Sequence, residues 1–468
     1  MALPQYLVWE VRTTGNNANG GAFLPTSGGT DRSQQDSPHV TFDGTDVTAT
    51  TTGASATITI SGYTVAAGDI GNILNITGGT NFTTGRYYIQ SVSTENNTWT
   101  LDRDCCSEAA SAMVGRMGGC IAYPAVAWAH IVGGEMIHVK AGDYYCTTTT
   151  TNVDGGRMSD YLGLHMIGYG SERLDFADAP TFYLDVNVGS SEAWFIATCG
   201  HIFNIKIVSN YSSAYWCGIA SPSTSGGTAI GCSMHNLRRG CANYIDAYYC
   251  SATRDSVYSG SCGFAGNPAY NGFAYNCYAS KCEIGFYTAA CSNCVAENCT
   301  YGFLNFLRCF QCLVRNCTYG IYGSGFSCTI DGCTYGMGYF INDGVWVYYK
   351  SQNCIITNCT YAFGHGRHFN NATYNCQYEY WYEYWSGGRG FRIGTIALTA
   401  DPFEDRSNGD YRLNATAGGG AALKDQGFTG FLPDVYKTNY LYDLGAATKR
   451  VAAAGGGAVV YLPRIIGA

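Results

Sequence analysis

Cysteine offers this chain the most chemistry and follows the most regular spacing. There are 23 cysteines, seventeen of them between Cys232 and Cys376. Thiols form disulfides, ligate zinc, act as nucleophiles, or fill small buried spaces. Five pairs share C-x4-C spacing: Cys277/Cys282, Cys294/Cys299, Cys312/Cys317, Cys328/Cys333 and Cys354/Cys359. The second members lie 17, 18, 16 and 26 residues apart, and each opens a near-copy of one phrase. The copies are CEIGF (282–286), CTYGF (299–303), CTYGI (317–321), CTYGM (333–337) and CTYAF (359–363). Asn298, Asn316 and Asn358 precede the second cysteine in three of them. Zinc sites favour C-x2-C pairs with a defined partner pair. Cys291/Cys294 and Cys309/Cys312 have that spacing but fall inside the same rhythm, so the ten paired cysteines read as a structural ladder. No metal or cofactor is expected.

Acid–base chemistry needs paired carboxylates, about 5–5.5 Å apart in retaining glycosidases and about 6.5–9.5 Å in inverting ones. Between Cys232 and Cys376 the acidic residues are Asp246, Asp255, Glu283, Glu297, Asp331 and Asp343, and no two share a short motif. Glu379 and Glu383 do, but on one strand face they stand about 13 Å apart. No catalytic residue is assigned, although carboxylates from neighbouring coils could still meet. His365, Arg367 and His368 (GHGRHF) offer a cationic site for an acidic sugar or a plain polar loop, and the loop is preferred. The N-x-T sites at Asn298, Asn316, Asn358, Asn75 and Asn81 read as turns. Ser-His-Asp spacing, phosphate loops and two-histidine metal helices are missing from the sequence.

The segment QYEYWYEYW (377–385) is the most unusual local feature. As a strand it puts Tyr378, Tyr380, Tyr382 and Tyr384 on one face and Trp381 and Trp385, with two glutamates, on the other. A buried stripe explains only one face. A subunit contact is favoured for the other, with a glycan platform and wholly core packing as alternatives.

What must position these residues is a solenoid. Gly is 61 of 468 residues, Tyr 38, and charged residues only 13%, a composition suited to strands and turns rather than long helices. A period of about 17 residues is too short for blades or helical hairpins, which need roughly 33–50. It fits one coil of three short strands, advancing one strand spacing of about 4.8 Å per coil. The fold class is therefore all-β, a right-handed parallel β-helix. Gly after Tyr is expected to supply turn backbone, and the fixed Asn to sit in a left-handed turn. A Cys→Ser change in the ladder is expected to bury a hydroxyl with no assured partner, at about 1–3 kcal/mol. Weaker upstream coils are read at 136–145, 161–170, 181–188, 201–210 and 232–262. The expected organisation is an opening cap (1–40), an inserted β subdomain (41–131), the coils (132–385), and a closing cap with a Gly/Ala-rich tail (386–468). The 26-residue interval holds an inserted loop at 341–349.

Net charge is −8 and basic residues are scattered, so nucleic acid is not an expected partner. No apolar run reaches the ~18 residues of a membrane span. Residues 1–12 lack a secretory pattern, which implies folding in a reducing cytosol and mostly free thiols.

The series 401–413 (DPFEDRSNGDYRL), 421–427 (AALKDQG) and 443–446 (DLGA) resembles the closing segment of many right-handed parallel β-helix repeat proteins. The opening 11–23 (VRTTGNNANGGAF) and 29–38 (GTDRSQQDSP) resembles that of large β-helix proteins of tailed bacteriophages and some environmental bacteria. The resemblance covers nearly the whole chain. It implies a structural surface or fibre-like component of a virus particle, folded in the host cytoplasm and partnered by itself (as a trimer) and by other particle proteins. A tailspike-like glycan hydrolase or lyase, with a host surface glycan as partner, and a bacterial cell-surface assembly protein are the alternatives. Fold alone does not choose among them.

Overall fold

The computed structural model describes residues 3, 6–51, 56–130, 135–151, 153, 157–159, 164–173, 175–188, 193–210, 216–221, 226–266, 272–287, 290–304, 308–338, 350–364, 367–380, 391–423, 448–451 and 460–463. The inserted loop expected at 341–349 lies outside these residues. The chain forms two compact units, residues 1–187 with 194–208, and 188–193 with 209–468. The coils belong to a right-handed parallel β-helix.

In the second unit each coil has three strands, shown by Ala290–Ser292 (first face), Val295–Glu297 (second face) and Tyr301–Leu304 (third face). They pair in parallel with Arg308–Phe310, Leu313–Arg315 and Tyr319–Tyr322 of the next coil. Third-face strands run from Trp216–Ser221 to Tyr378–Tyr380, and the last first- and second-face strands are Phe391–Ile393 and Ile396–Ala397. The coils thus continue past residue 385, where the sequence pattern ended them.

Two corners of the coil are of fixed design. At the first, Asn276, Asn293, Gln311, Ser327 and Asn353 all have φ between 50° and 55°. At the second, Lys281, Asn298, Asn316, Gly332 and Asn358 have φ between 51° and 65°. Each is followed by a ladder cysteine. Asparagine is common here because its short amide tolerates the left-handed region.

The glycine of the CTYGF phrase does something other than turn the chain. Gly285, Gly302, Gly320 and Gly336 lie within third-face strands and are absent from the positive-φ residues. A Cβ on Gly320 would meet the Gly336 carbonyl oxygen at 2.3 Å, and one on Gly302 the Gly320 oxygen at 2.7 Å. The glycines permit close approach between coils, and the corner residues supply the turn.

Residues 403–423 of the closing segment lie along the side of the coils. Phe403, Tyr411, Leu413 and Leu423 pack on the outer side of the second face, against Val295, Leu313, Ile355 and Ala372. That face carries an apolar outer stripe, which a segment rich in Phe, Tyr and Leu covers. Within the tail, Val460–Pro463 pairs antiparallel with Thr448–Val451, in a four-stranded sheet with Phe403–Asp405 and Asp410–Leu413. A Val-Tyr-Leu run suits a strand.

In the first unit Val8–Val11 pairs in parallel with Met136–Lys140, placing residues of the opening segment inside the first coil. Ala22–Phe23 lies antiparallel on the other edge of Val8–Val11. The expected upstream coils hold the parallel strands Met136–Lys140, His165–Tyr169, Asp143–Cys146 and Thr181–Leu184. The inserted segment is a small barrel. Cys106–Met117 pairs with both Val47–Thr51 and Ile73–Phe82, which closes an antiparallel sheet around Trp99, Ile58, Ile76 and Ile89.

Candidate functional site

The ladder cysteines form two interior columns. Backbone bonds from Tyr278 N to Cys250 O, Val295 N to Cys277 O, Leu313 N to Cys294 O, Thr329 N to Cys312 O and Ile355 N to Cys328 O put Cys250, Cys277, Cys294, Cys312, Cys328 and Cys354 in register. At the second corner, Thr300 N to Cys282 O, Thr318 N to Cys299 O, Thr334 N to Cys317 O, Thr360 N to Cys333 O and Gln377 N to Cys359 O align Cys282, Cys299, Cys317, Cys333, Cys359 and Cys376. The ten residues singled out from the sequence are all buried, none more than 3% exposed. Each thiol lies over the carbonyl two residues back: Cys294 to Ser292 O and Cys312 to Phe310 O at 3.3 Å, Cys299 to Glu297 O at 3.4 Å. A thiol is small, apolar enough for the interior, and a weak donor to that oxygen. A serine hydroxyl at these positions therefore has an acceptor, unlike the orphan expected from sequence. No cysteine is disulfide-bonded. Burial pushes Cys262 up to about 12 and holds Cys294 and Cys328 well above the usual thiol range. These are packing thiols, and no group of three His, Cys, Asp or Glu among the described residues can hold a metal ion.

The C-x2-C partners Cys291 and Cys309 face each other across adjacent first-face strands. The same inward position continues through Gly325 and Ser351 to His368. His368 is 3% exposed; its Nδ1 lies 2.6 Å from Ser351 Oγ and its Nε2 3.0 Å from Gly364 O. Asn371, which takes the first-corner position after Cys354, donates to the same Ser351 oxygen at 2.8 Å. Ser351 therefore gives its proton to Nδ1, and His368 carries its hydrogen on Nε2. His368 is an interior plug on the strand Arg367–Phe369, neither a loop nor a cationic site, while His365 lies outside the described residues.

On the outside, the tyrosine of the repeated phrase builds a third column. Tyr301, Tyr319, Tyr335, Tyr361 and Tyr378 stack with ring centroids 4.8, 4.9, 5.2 and 5.2 Å apart and planes within 20° of parallel. The rings cover one another's faces and turn their edges to solvent, most fully at Tyr378, which is 49% exposed. Tyr378–Tyr380 is a third-face strand, as expected for the start of the aromatic segment. Trp381, Tyr382, Tyr384 and Trp385 lie outside the described residues. The signal for the column was in the sequence, since the same phrase repeats its tyrosine.

The described carboxylates are mostly engaged in structure. Glu297 pairs with Arg315 and accepts from Tyr278 Oη at 3.0 Å. Asp331 accepts from Tyr411 Oη, Thr357 Oγ1 and Asn358 Nδ2, each at 2.8 Å. Asp255 accepts from Asn236 Nδ2 at 2.7 Å and lies 3.4 Å from His235, and Glu283 accepts from Gly260 N. Asp246 is held above the usual carboxylate range by burial. Asp343 and Glu383 lie outside the described residues. Asn298, Asn316 and Asn358 are turn residues, but Asn75 is a buried strand residue donating to Ala18 O.

Sequence reasoning missed a polar cluster in the first unit. Fully buried Glu10 accepts from Arg12 Nε at 2.9 Å, from Arg173 Nε at 2.9 Å and Nη2 at 2.7 Å, and from Tyr169 Oη. Arg12 reaches on to Asp36 and Arg173 to Asp31. A recess of ≈ 370 Å³ beside them is lined by Arg12, Gln34, Tyr169, Ser171, Glu172 and Arg173. Its residues come from segments far apart in sequence, so no local motif announces it.

No protein-family profile matches the chain, and no curated protein matches it. Solved structures do. The catalytic domain of a GH87 α-1,3-glucanase in complex with nigerose superposes at TM-score 0.35 and 9% identity, over 77% of this chain and 87% of that one. Pectate lyase Pel9A superposes at 0.33 and 14%, over 70% and 90%. The tailspike protein gp49 from Pseudomonas phage LKA1 superposes at 0.19 and 12%, over 77% and 61%. The fold of the chain's coils is a parallel β-helix.

Proposed function

We propose that this protein is a structural, non-enzymatic component of a virus particle of the tailed-phage kind, a surface or fibre-like element. The carrying observation is like-on-like stacking through successive coils: cysteine columns inside, a tyrosine column outside. Such a body suits bearing load and presenting a fixed side face. The second-face carboxylates Glu297 and Asp331 support this reading, because they hold Arg315 and Tyr411. Its partners are further copies of itself, as a trimer, and other particle proteins, with contact through the third face and Trp381 and Trp385. Among the described residues no helix is long and apolar enough to cross a membrane.

The test is mass spectrometry and electron microscopy of purified particles, where the chain is expected at fixed stoichiometry. Its absence from particles overturns the proposal. The double variant Trp381→Ala/Trp385→Ala is expected to weaken assembly by several kcal/mol in sedimentation, about 2 or more per anchor, with the coils still folded.

A tailspike-like glycan hydrolase or lyase is the second reading. The observation favouring it is the recess beside Arg12 and Arg173, whose polar lining suits sugar hydroxyls. Release of new reducing ends from a surface polysaccharide, lost in Arg173→Ala, selects it over the first.

A further inference from the structure

The second-corner cysteine column ends at a partly exposed thiol. Cys282, Cys299, Cys317, Cys333 and Cys359 are buried, whereas Cys376, one coil beyond Cys359, is reached by solvent. The bonds Gln377 N to Cys359 O (3.1 Å) and Tyr378 N to Thr360 O (2.8 Å) seat Cys376 directly opposite Cys359. Both thiols point into the same corner, Cys376 Sγ lying 3.5 Å from Ile356 O and Cys359 Sγ 3.3 Å from Thr357 O.

We propose that Cys359 and Cys376 form a disulfide-forming site, the place where this otherwise reduced column is oxidised by a low-molecular-weight disulfide. Two physical arguments select this pair over every other rung. The first is access, because a disulfide reagent must touch the sulfur it exchanges with. The second is geometry. Neighbouring parallel strands stand about 4.8 Å apart, inside the Cα range of a disulfide, but its Cβ atoms must approach to about 3.8 Å. An interior rung is held by a coil on each side, so closing on one neighbour pulls it from the other. The coil beyond Cys376 pairs with its strand only as far as Leu398, whose N–H bonds Thr373 O. Thr399 N and Ala400 N then turn to Gly418 O, and no cysteine stands over Cys376 among the described residues, so its rung can move toward Cys359.

The reaction balances with oxidised glutathione as oxidant. Cys359 and burial hold the Cys376 thiol above the usual range, but it is the sulfur a small disulfide can reach. Losing its proton to solvent, it attacks a glutathione sulfur, forming a mixed disulfide and releasing one glutathione thiolate, which takes up a proton. Deprotonated Cys359 then attacks the Cys376 sulfur, forming the protein disulfide and releasing the second glutathione as thiol. Two protein thiols are oxidised and one small disulfide is reduced to two thiols. The product ties the coil that carries Cys376 covalently to the one before it.

The test takes the full chain, purified reduced, through increasing ratios of oxidised to reduced glutathione. Free thiols are then alkylated in denaturant, and peptides are mapped without reduction. The expected first product has lost two hydrogens and yields one cross-linked peptide pair, Cys359 with Cys376, while the other cysteines are alkylated. Cys376→Ser, at a partly exposed position, is expected to remove that product and leave a fully reduced chain under the same conditions. Cys359→Ala is expected to trap Cys376 as a stable glutathione adduct. Persistent glutathione on Cys376 in the unaltered chain, or a different pair closing first, overturns the proposal. The mapping on the unaltered chain decides the matter even if either variant misfolds.

Discussion

The inserted barrel and the coils of the second unit bury their side chains by opposite rules. In the barrel every core position is different. Trp99 meets Phe42 and Tyr63 edge-on or tilted, each at 5.8 Å, and donates its ring N–H to Asp69 at 3.2 Å. In the coils three kinds of column set a side chain on its own equivalent one strand spacing away: Phe264 on Phe286 on Phe303, cysteine on cysteine, tyrosine on tyrosine. A barrel position answers to a pocket of unlike neighbours. A position in such a column answers to copies of itself, so its size is limited by the repeat. That is why the coil corners favour cysteine and the third-face inner position favours glycine.

The largest effect is expected where the repeat leaves no room. Gly320→Val puts a Cβ 2.3 Å from the Gly336 oxygen, backbone that cannot yield without moving a coil. A loss above about 4 kcal/mol is expected in denaturant unfolding. A loss within about 1 kcal/mol would mean the coils are looser than their glycine column implies.

In the barrel, Trp99→Ala is expected to cost about 3–5 kcal/mol by leaving a cavity, with hydrogen exchange rising through residues 40–117. If exchange rose equally in the coil strands at 290–322, the contrast between the two cores would lose its meaning.

Titration separates the regions by pH. Burial lowers His130 and His138 in the first unit from 6.5 to about 4, so the unfolded chain binds more protons between those values. Stability of that unit is expected to fall as pH drops from 6.5 toward 4. In the coils the buried Cys262 thiol is raised to about 12, so the unfolded chain ionises first and stability falls as pH rises above the usual thiol value of 9. Melting followed by unit-specific exchange checks both directions, and His138→Gln is expected to flatten the acid limb.

A smaller effect is expected within one corner. Cys299→Ala removes the donor to Glu297 O, while Cys299→Ser keeps one. Alanine is expected to cost about 1–2 kcal/mol and serine less, the reverse of what a purely apolar role for sulfur requires. Last, Tyr319→Ala removes two ring stacks at a half-buried position. About 0.5–1.5 kcal/mol per pair is expected, with Tyr319→Phe near neutral.

The coil repeat was legible because C-x4-C marks two corners whose residues must be small and whose preceding residue must accept positive φ. The glycine role was not, because spacing cannot tell a turn glycine from one that admits a neighbour's carbonyl. Lateral docking of the closing segment was hidden too. It depends on Val295, Leu313 and Ile355, outward residues that differ from coil to coil and carry no motif. Burial of His368 depends on Ser351 and Asn371, one from the preceding coil. The Glu10 cluster gathers residues more than 150 positions apart, as its bonds to Arg173 show. Local pattern reveals what recurs, and these contacts occur once.

Among the five C-x4-C coils the length differences fall in one place, whereas the coil before them widens its second corner between Thr253 and Cys262. The first- and second-corner cysteines of a coil are always five positions apart, whereas the third corner spans Tyr287 to Ala290, Leu304 to Arg308, Tyr322 to Gly325 and Gly338 to Lys350. In these five coils two edges of the triangle act as a fixed gauge and the third as an open seam. Mutation can lengthen the chain there without shifting any stacked side chain, and foreign peptides spliced at successive seams would be displayed in a row at strand pitch.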